Sequence, residues 1–336
     1  MDLGKVDREF LSTHVLDHLG ARRDDVVLGP THGVDFGIVD VDGTALVAAT
    51  DPVSILPALG WERAAEFALG VVLADVAVSG VPPTHLAISF SLPPTMSDEA
   101  FGHVWEAIDA ECRDLGVSVL TGHTARYSGC SFPWVGAATA MAVGDHDDVV
   151  RPDGARPGDR VLVTNGPAAE AAGLLTTLYP EGFELDAETL AAAQSRLDDA
   201  SCVREALRVA AAADVHAMHD ATEGGLAGAL NEVADGAGVR VDVDAERVPF
   251  LPGVEAACEE LDVDSWACTS AGTLVVAAPP EAVDDALDAL RETGATAAEI
   301  GTVSTGSGVY LDGDLLEHPD VDPSWAAFEA LAERYD

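Results

Sequence analysis

The sequence predicts an α+β (α/β) protein of two domains. Three observations carry that expectation. At 336 residues the chain is long enough for roughly two domains, and a hydrophobic content of 48% supports a buried core. Hairpin signals and helical periodicities are intermixed along its length. Residues 145–159 are rich in Asp, Gly and Pro and poor in apolar side chains, the composition of a linker.

In chain order, residues 6–20 carry Phe10, Leu11, Val15, Leu16 and Leu19 at helical spacing before Gly20, so a first helix is expected there. A glycine-punctuated loop, Gly29 to Gly37, contains Asp35 and leads into the strand Ile38–Val41. Asp42-Gly43 signals a tight hairpin, and the returning strand runs from Ala45 to Thr50 and ends on Asp51. The hairpin sets Asp35 and Asp51 near the same end of neighbouring strands. Two carboxylates so placed suit Mg²⁺, which takes one or two of them plus phosphate oxygens. Solvated loop acids are the alternative in a chain with 59 acids.

Residues 61–79 read as a helix of mostly small apolar residues, in which Asp75 is flanked by Leu73, Ala74, Val76 and Ala77. A carboxylate in that setting is paired, capped or metal-bound. Pro82-Pro83 stop the helix, and Leu86, Ile88, Phe90 and Leu92 alternate as a half-buried strand. Ser97 is an N-cap for a helix with Phe101, Val104, Trp105, Ile108, Cys112 and Leu115 on one face, ended by Gly116. The strand Val117–Leu120 then enters Thr121-Gly122-His123-Thr124, a polar cluster at a strand end, where ligands commonly sit. His123 reads equally as a ligand contact or a hydrogen-bonded loop histidine. A strand over 134–143 closes this half.

After the linker, a strand over 160–164 enters Asn165-Gly166-Pro167 and a helix over 168–178, with Pro167 in its first turn. One Ala-rich helix is expected over 187–213. Residues His216 to Asp220 then cross Thr222, Glu223, Gly224 and Gly225 into a helix carrying Leu226, Leu230 and Val233. Bare glycines at a helix start let backbone approach a ligand, and free N–H groups there favour an anion. The plainer reading is a capped helix, with Thr222 as N-cap and Glu223 complementing the dipole. Further expectations are a strand over 239–243, a helix near 252–261, a strand over 274–278, a helix over 281–293, a strand over 296–303 and a short amphipathic helix over 323–334.

Lys and Arg number 17 against 59 Asp and Glu, a formal charge of −42 spread along the chain, and Lys5 is the sole lysine. A uniform excess of this kind fits a salt-adapted cytoplasmic protein, because at multimolar salt the Debye length is about 3 Å or less and self-repulsion is screened. It argues against nucleic acid as a partner. Five cysteines without a CxxC pair suggest neither a disulfide framework nor a zinc site. No signal peptide and no membrane span are expected.

Taken together, Gly33-Val34-Asp35, Ala49-Thr50-Asp51-Pro52-Val53, Leu73-Ala74-Asp75 through Pro83, Thr121-Gly122-His123-Thr124, His219-Asp220-Ala221-Thr222-Glu223-Gly224-Gly225-Leu226 and Ser270-Ala271-Gly272-Thr273-Leu274 resemble the aminoimidazole ribonucleotide (AIR) synthetase, PurM-like superfamily, closest to its HypE branch. The resemblance spans nearly the whole chain in order. It implies an N-terminal domain over 1–148 that pairs with its twin across a shared β-barrel, a C-terminal α+β domain over 160–320 and a helical tail over 321–336. It also implies ATP with Mg²⁺ in a cleft, and a homodimer. Asp35, Asp51 and Asp75 would serve metal and triphosphate; Gly122, His123, Thr124, Asp220, Thr222, Gly224 and Gly225 would line the nucleotide site. The implied chemistry is ATP-dependent phosphorylation of a substrate oxygen, for which positioned metal charge and an aligned acceptor suffice.

Three departures qualify it. His123 stands where the family carries Asp, and Glu223 where the HypE branch carries Arg. The HypE branch also ends on a cysteine, whereas this chain ends Glu333-Arg334-Tyr335-Asp336 with Cys268 as its last cysteine. The full HypE reaction is therefore not expected. A nucleotide-binding regulatory or assembly protein without turnover is the alternative, and a thiamine-monophosphate kinase-like enzyme a further one.

Overall fold

The computed structural model describes residues 4–6 and 8–335. They divide into two compact units. The N-terminal unit comprises Asp24–Gly29 and Asp35–Val149; the C-terminal unit takes the residues up to Arg23, Pro30–Val34 and everything from Val150 onward. The chain opens in the C-terminal unit with α1 (Arg8–His14) and a 3-10 turn at Leu16–His18. The helix expected over 6–20 is thus shorter, and its residue 7 lies outside the described residues.

The N-terminal unit is one six-stranded sheet with two helices. Its elements are β1 (Val26–Leu28), β2 (Gly37–Val41), β3 (Thr44–Ser54), α2 (Trp61–Ala77), β4 (Pro83–Leu92), α3 (Asp98–Leu115), β5 (Ser118–Arg126) and β6 (Trp134–Gly144). The strand order is β1-β2-β3-β6-β4-β5. Asp42 and Gly43 both take positive φ, 52° and 87°, the two-residue turn whose twist suits a hairpin. Gly37 pairs with Ala48 across it. Ser97 caps α3 by accepting the Ala100 N–H at 3.1 Å, and Gly116 ends that helix at φ 74°. The α3 crossover joins β4 to β5 in parallel; the remaining pairings are antiparallel.

Alternation fixes which face of β3 is covered. Ala45, Val47, Ala49 and Val53 are buried, and α2 packs against β3 and β6. Thr50 and Pro52, on the opposite face, are exposed.

The C-terminal unit is a seven-stranded sheet flanked by helices, in the order β13-β12-β9-β11-β7-β10-β8. After α1 it runs β7 (Arg160–Thr164), α4 (Ala169–Leu178), α5 (Ala187–Gln194), α6 (Val203–Ala212), β8 (Ala217–Ala221), α7 (Gly225–Ala237), β9 (Arg240–Val243) and α8 (Val254–Leu261). It continues with β10 (Thr273–Ala278), α9 (Val283–Glu292), β11 (Ala297–Ser304), β12 (Gly308–Leu311), β13 (Asp314–Leu316) and α10 (Pro323–Tyr335). All six residues of β10 are buried, as its unbroken Thr-Leu-Val-Val-Ala-Ala run requires of a strand covered on both faces. One core joins Val163, Val241, Val275 and Ile300 to Leu226 and Leu230 of α7. A second gathers Leu175, Tyr179, Val254, Cys268 and Leu331.

Three local expectations change here. The helix over 187–213 breaks into α5, a 3-10 turn at Ser195–Asp199 and α6. The break fits against two glycines elsewhere in the chain: the Arg196–Leu197 backbone lies on Gly173, and the Asp199 carbonyl lies on Gly272. Pro167 precedes the α4 N-cap, Ala168, which is held left-handed at φ 56°. The β12–β13 hairpin, turned at Asp312 and Gly313, adds two strands to those expected.

Candidate functional site

In the N-terminal unit, Asp51 shares the inward parity of Ala45, Val47, Ala49 and Val53, so it points to the side of the sheet that carries α2. Its Oδ2 is buried and has no hydrogen-bond partner among the described residues. A buried carboxylate oxygen without a donor is costly, and an oxygen-seeking cation is one of the few groups that satisfies it. Asp35 lies just before β2, and the Gly37–Ala48 pairing carries its segment toward the Asp51 end of β3. Asp75 is half-buried, on the α2 stripe that also bears Arg63, Phe67 and Val71. Among the described residues, Asp35, Asp51 and Asp75 do not close into a set of ligand atoms all within 4.8 Å of one another. Mg²⁺ keeps several waters and takes one or two carboxylates, so the donor set still fits that ion.

Gly122, His123 and Thr124 are not at a strand end. They lie inside β5, the outer strand of the sheet, and all three are exposed. Asp51, Ala138, Ile88 and Gly122 form one row across β3, β6, β4 and β5. Three strand spacings separate its ends, about 14 Å. His123 falls one residue on, opposite Ser89, so it faces the other side of the sheet from Asp51. Its Nε2 meets the Tyr127 hydroxyl at 2.9 Å, the hydrogen-bonded alternative, within a strand.

In the C-terminal unit, protein groups take some of the amides in the segment expected to cradle an anion. Asp220, in β8, pairs with Leu274 of β10 and is 3% exposed. The N-cap of α7 is Gly224 at φ 85°, not Thr222. The Gly224 N–H donates to Asp322 Oδ2 at 3.1 Å, and the Ala227 N–H to the Trp266 carbonyl at 2.9 Å. Gly225, at φ 60°, meets the carbonyls of Cys268 and Trp266; a Cβ there would stand 2.6 Å from the Trp266 oxygen. This glycine answers to a backbone approach inside the unit. Lys5 covers the turn from outside: its N–H donates to Glu223 Oε2 at 2.6 Å and its ammonium to Thr222 Oγ1 at 3.0 Å.

Several strongly placed groups had no local sequence signal. Glu170, in the first turn of α4, accepts from Thr269 Oγ1 at 2.6 Å and the Ala271 N–H at 2.8 Å. Burial outweighs both and pushes its carboxyl up to about 7. Burial likewise raises Asp322, against its bonds from Ser324 and Gly224. Burial would raise Glu232 on α7 as well, but the His219 and His318 rings facing it hold it far below the carboxylate range. Lys5 stands out in the sequence as the sole lysine; the others are brought together only by the fold.

Comparison with known proteins follows the same division. Residues 33–143 match the AIR synthase related protein, N-terminal domain, and residues 156–314 the corresponding C-terminal domain. Carbamoyl dehydratase HypE of Rhizobium leguminosarum bv. viciae is 30% identical over 277 residues, 81% of this chain and 77% of that protein. Thiamine-monophosphate kinase of Halobacterium salinarum (strain ATCC 700922 / JCM 11081 / NRC-1) is 32% identical over 262 residues, covering 76% and 81%. The crystal structure of a hydrogenase maturation protein HypE in complex with ATP superposes with TM-score 0.67 at 24% identity, over 96% of this chain and 97% of that one. Relatives of comparable identity thus carry two different activities in their names. The chain belongs to the AIR synthase related, PurM-like family.

Proposed function

We propose that this protein binds ATP with Mg²⁺ through the N-terminal unit and uses it to phosphorylate an oxygen of its substrate. The buried, donor-free Oδ2 of Asp51 carries this reading. A divalent ion bound there supplies charge that offsets the negative charge of the transferring phosphoryl group. Asp51 holds the ion from the sheet; Asp75 and Asp35 contribute from α2 and from the loop before β2, directly or through water. His123 adds no carboxylate to that set. The HypE-like solved structure contains ATP, which supports a nucleotide in this family. The alternative, nucleotide binding without turnover, draws on the same two features as before, His123 and Glu223.

A homodimer belongs to the same proposal. The outer strand β5 exposes Val119 and Leu120, and Trp134 and Val143 of β6 are exposed as well. An unpaired strand edge with apolar side chains is a pairing surface that a second copy would cover.

The test is nucleotide binding by the purified full chain at high salt with Mg²⁺, followed by ADP release across candidate acceptors. Asp51→Asn is expected to abolish Mg²⁺-dependent ATP binding, and unchanged binding refutes the site. ADP formation on adding thiamine monophosphate favours a kinase, the reading that the halobacterial relative motivates. ATP binding with no turnover on any acceptor favours the regulatory alternative.

A further inference from the structure

Gly224, Gly228 and Glu232 follow one another at helical repeats along one stripe of the α7 region. The missing side chains at 224 and 228 leave space that the His318 ring occupies: its atoms lie 3.8 and 3.7 Å from where their Cβ atoms would be. Asn231 holds the segment before it, donating to the Leu316 carbonyl at 3.1 Å. The loop at residues 31–33 crosses the same spot. A Cβ at Gly33, itself at φ 72°, would stand 2.9 Å from Glu232 Cβ, and His32 precedes it. The His32 and His318 rings meet edge to face, 5.7 Å between centroids.

Each of His32, Glu232 and His318 offers one ligand atom, and the three atoms lie within 4.8 Å of one another. His318 Nε2 is 3.8 Å from Glu232 Oε1, beyond hydrogen-bond reach. A tetrahedral ion with bonds of ~2.0–2.1 Å holds its donors about 3.3 Å apart, so closure needs shifts of about 1.5 Å or less. The second carboxylate oxygen, Oε2, faces His219 Nε2 at 3.2 Å, and His219 is held in turn by its Nδ1 against the Asp220 carbonyl at 2.7 Å. Partners of that kind orient a ligating carboxylate. The His318 side chain is 37% exposed, which leaves an approach for the ion and for water.

We propose that His32, Glu232 and His318 form a binding site for Zn²⁺, with water completing the coordination. Two imidazoles and one carboxylate are the donor set of a borderline divalent ion, whereas Mg²⁺ prefers oxygen alone. The ion clamps three segments distant in sequence: the 31–33 loop, α7 and the chain after β13. This inference lies wholly within the C-terminal unit and does not depend on the nucleotide reading.

The full chain, stripped with a chelator and kept at high salt, is titrated with Zn²⁺ against a chromophoric chelator and, separately, with Co²⁺. One tight ion per chain is expected, with a Co²⁺ spectrum lacking thiolate charge-transfer bands and a Zn²⁺-dependent rise in unfolding temperature. Loss of an outer-shell partner costs roughly 10- to 100-fold in affinity, so His318→Asn and His32→Asn should each weaken binding by about 100-fold or more. His318 is at the surface, so His318→Asn keeps the test valid if His32→Asn does not fold. Asp51→Asn should bind Zn²⁺ as the wild type does, which separates failure here from failure of the Mg²⁺ site. Unchanged affinity in His318→Asn, a thiolate band with Co²⁺, or no tight ion in the wild type overturns the proposal.

Discussion

Replacing Glu170 by Gln removes a charge that the fold resists. Glu170 is 8% exposed, and its carboxyl is pushed from 4.5 to about 7 by burial, against the donors Thr269 Oγ1 and Ala271 N–H. Below about 4.5 the group is protonated in both folded and unfolded chains and contributes no pH dependence. Between 4.5 and about 7 the unfolded chain has lost the proton and the folded chain still holds it. Stability therefore falls as pH rises through that window, by about 1.4 kcal/mol per pH unit, and the loss is complete above it. The sum is about 3 kcal/mol. Glutamine is neutral throughout, and its amide oxygen accepts the same two hydrogen bonds. Glu170→Gln should match the wild type near pH 4.5 and exceed it by about 3 kcal/mol near pH 8. Denaturant unfolding of both proteins across that range, at constant high salt, measures the difference; other titrating groups cancel in it. Parallel stability curves, or a variant less stable at pH 8, would refute the reasoning.

Two further outcomes follow from backbone approach and from surface. Gly225→Ala must adopt positive φ and place a methyl against the Cys268 and Trp266 carbonyls, so it should lose about 3 kcal/mol or more by denaturant midpoint; a loss under about 1 kcal/mol would mean that the α7 start relaxes freely. Leu120→Glu puts a charge on a residue 62% exposed in the outer strand β5. Light scattering should find the dimeric mass in the wild type and half of it in the variant, and equal masses would remove β5 from the interface.

Legibility in the sequence tracked how local each cause is. Asp42-Gly43 and Ser97 act within four residues, and the turn and the cap form where those residues stand. The alternation of β3 is local too, and it aims Asp51 inward. The break between α5 and α6 was hidden because Ala-rich sequence reads as continuous helix, while its cause, room over Gly173 and Gly272, lies far along the chain. The sequence puts Thr121 to Thr124 at a strand end, but pairing with β4 extends β5 through them, and pairing cannot be read from β5 alone. The Gly-Gly turn carried an anion-site signature, yet Asp322 and the Trp266 carbonyl, invisible from position 224, take its amides. His32, Glu232 and His318 share no motif, since the folded path alone makes them neighbours.

The path of the backbone through the two units has a practical outcome. The polypeptide enters the C-terminal unit, leaves it at Asp24, returns for Pro30–Val34 and leaves again before settling there from Val150. A fragment cut at residue 150 would forfeit the Lys5 grip on Thr222 and Glu223, the Arg8–Asp235 ion pair at 3.1 Å and the loop bearing His32. Severing the apparent linker thus yields an incomplete half. An intact C-terminal unit has to carry the residues up to Arg23 and the Pro30–Val34 loop along with the trailing portion.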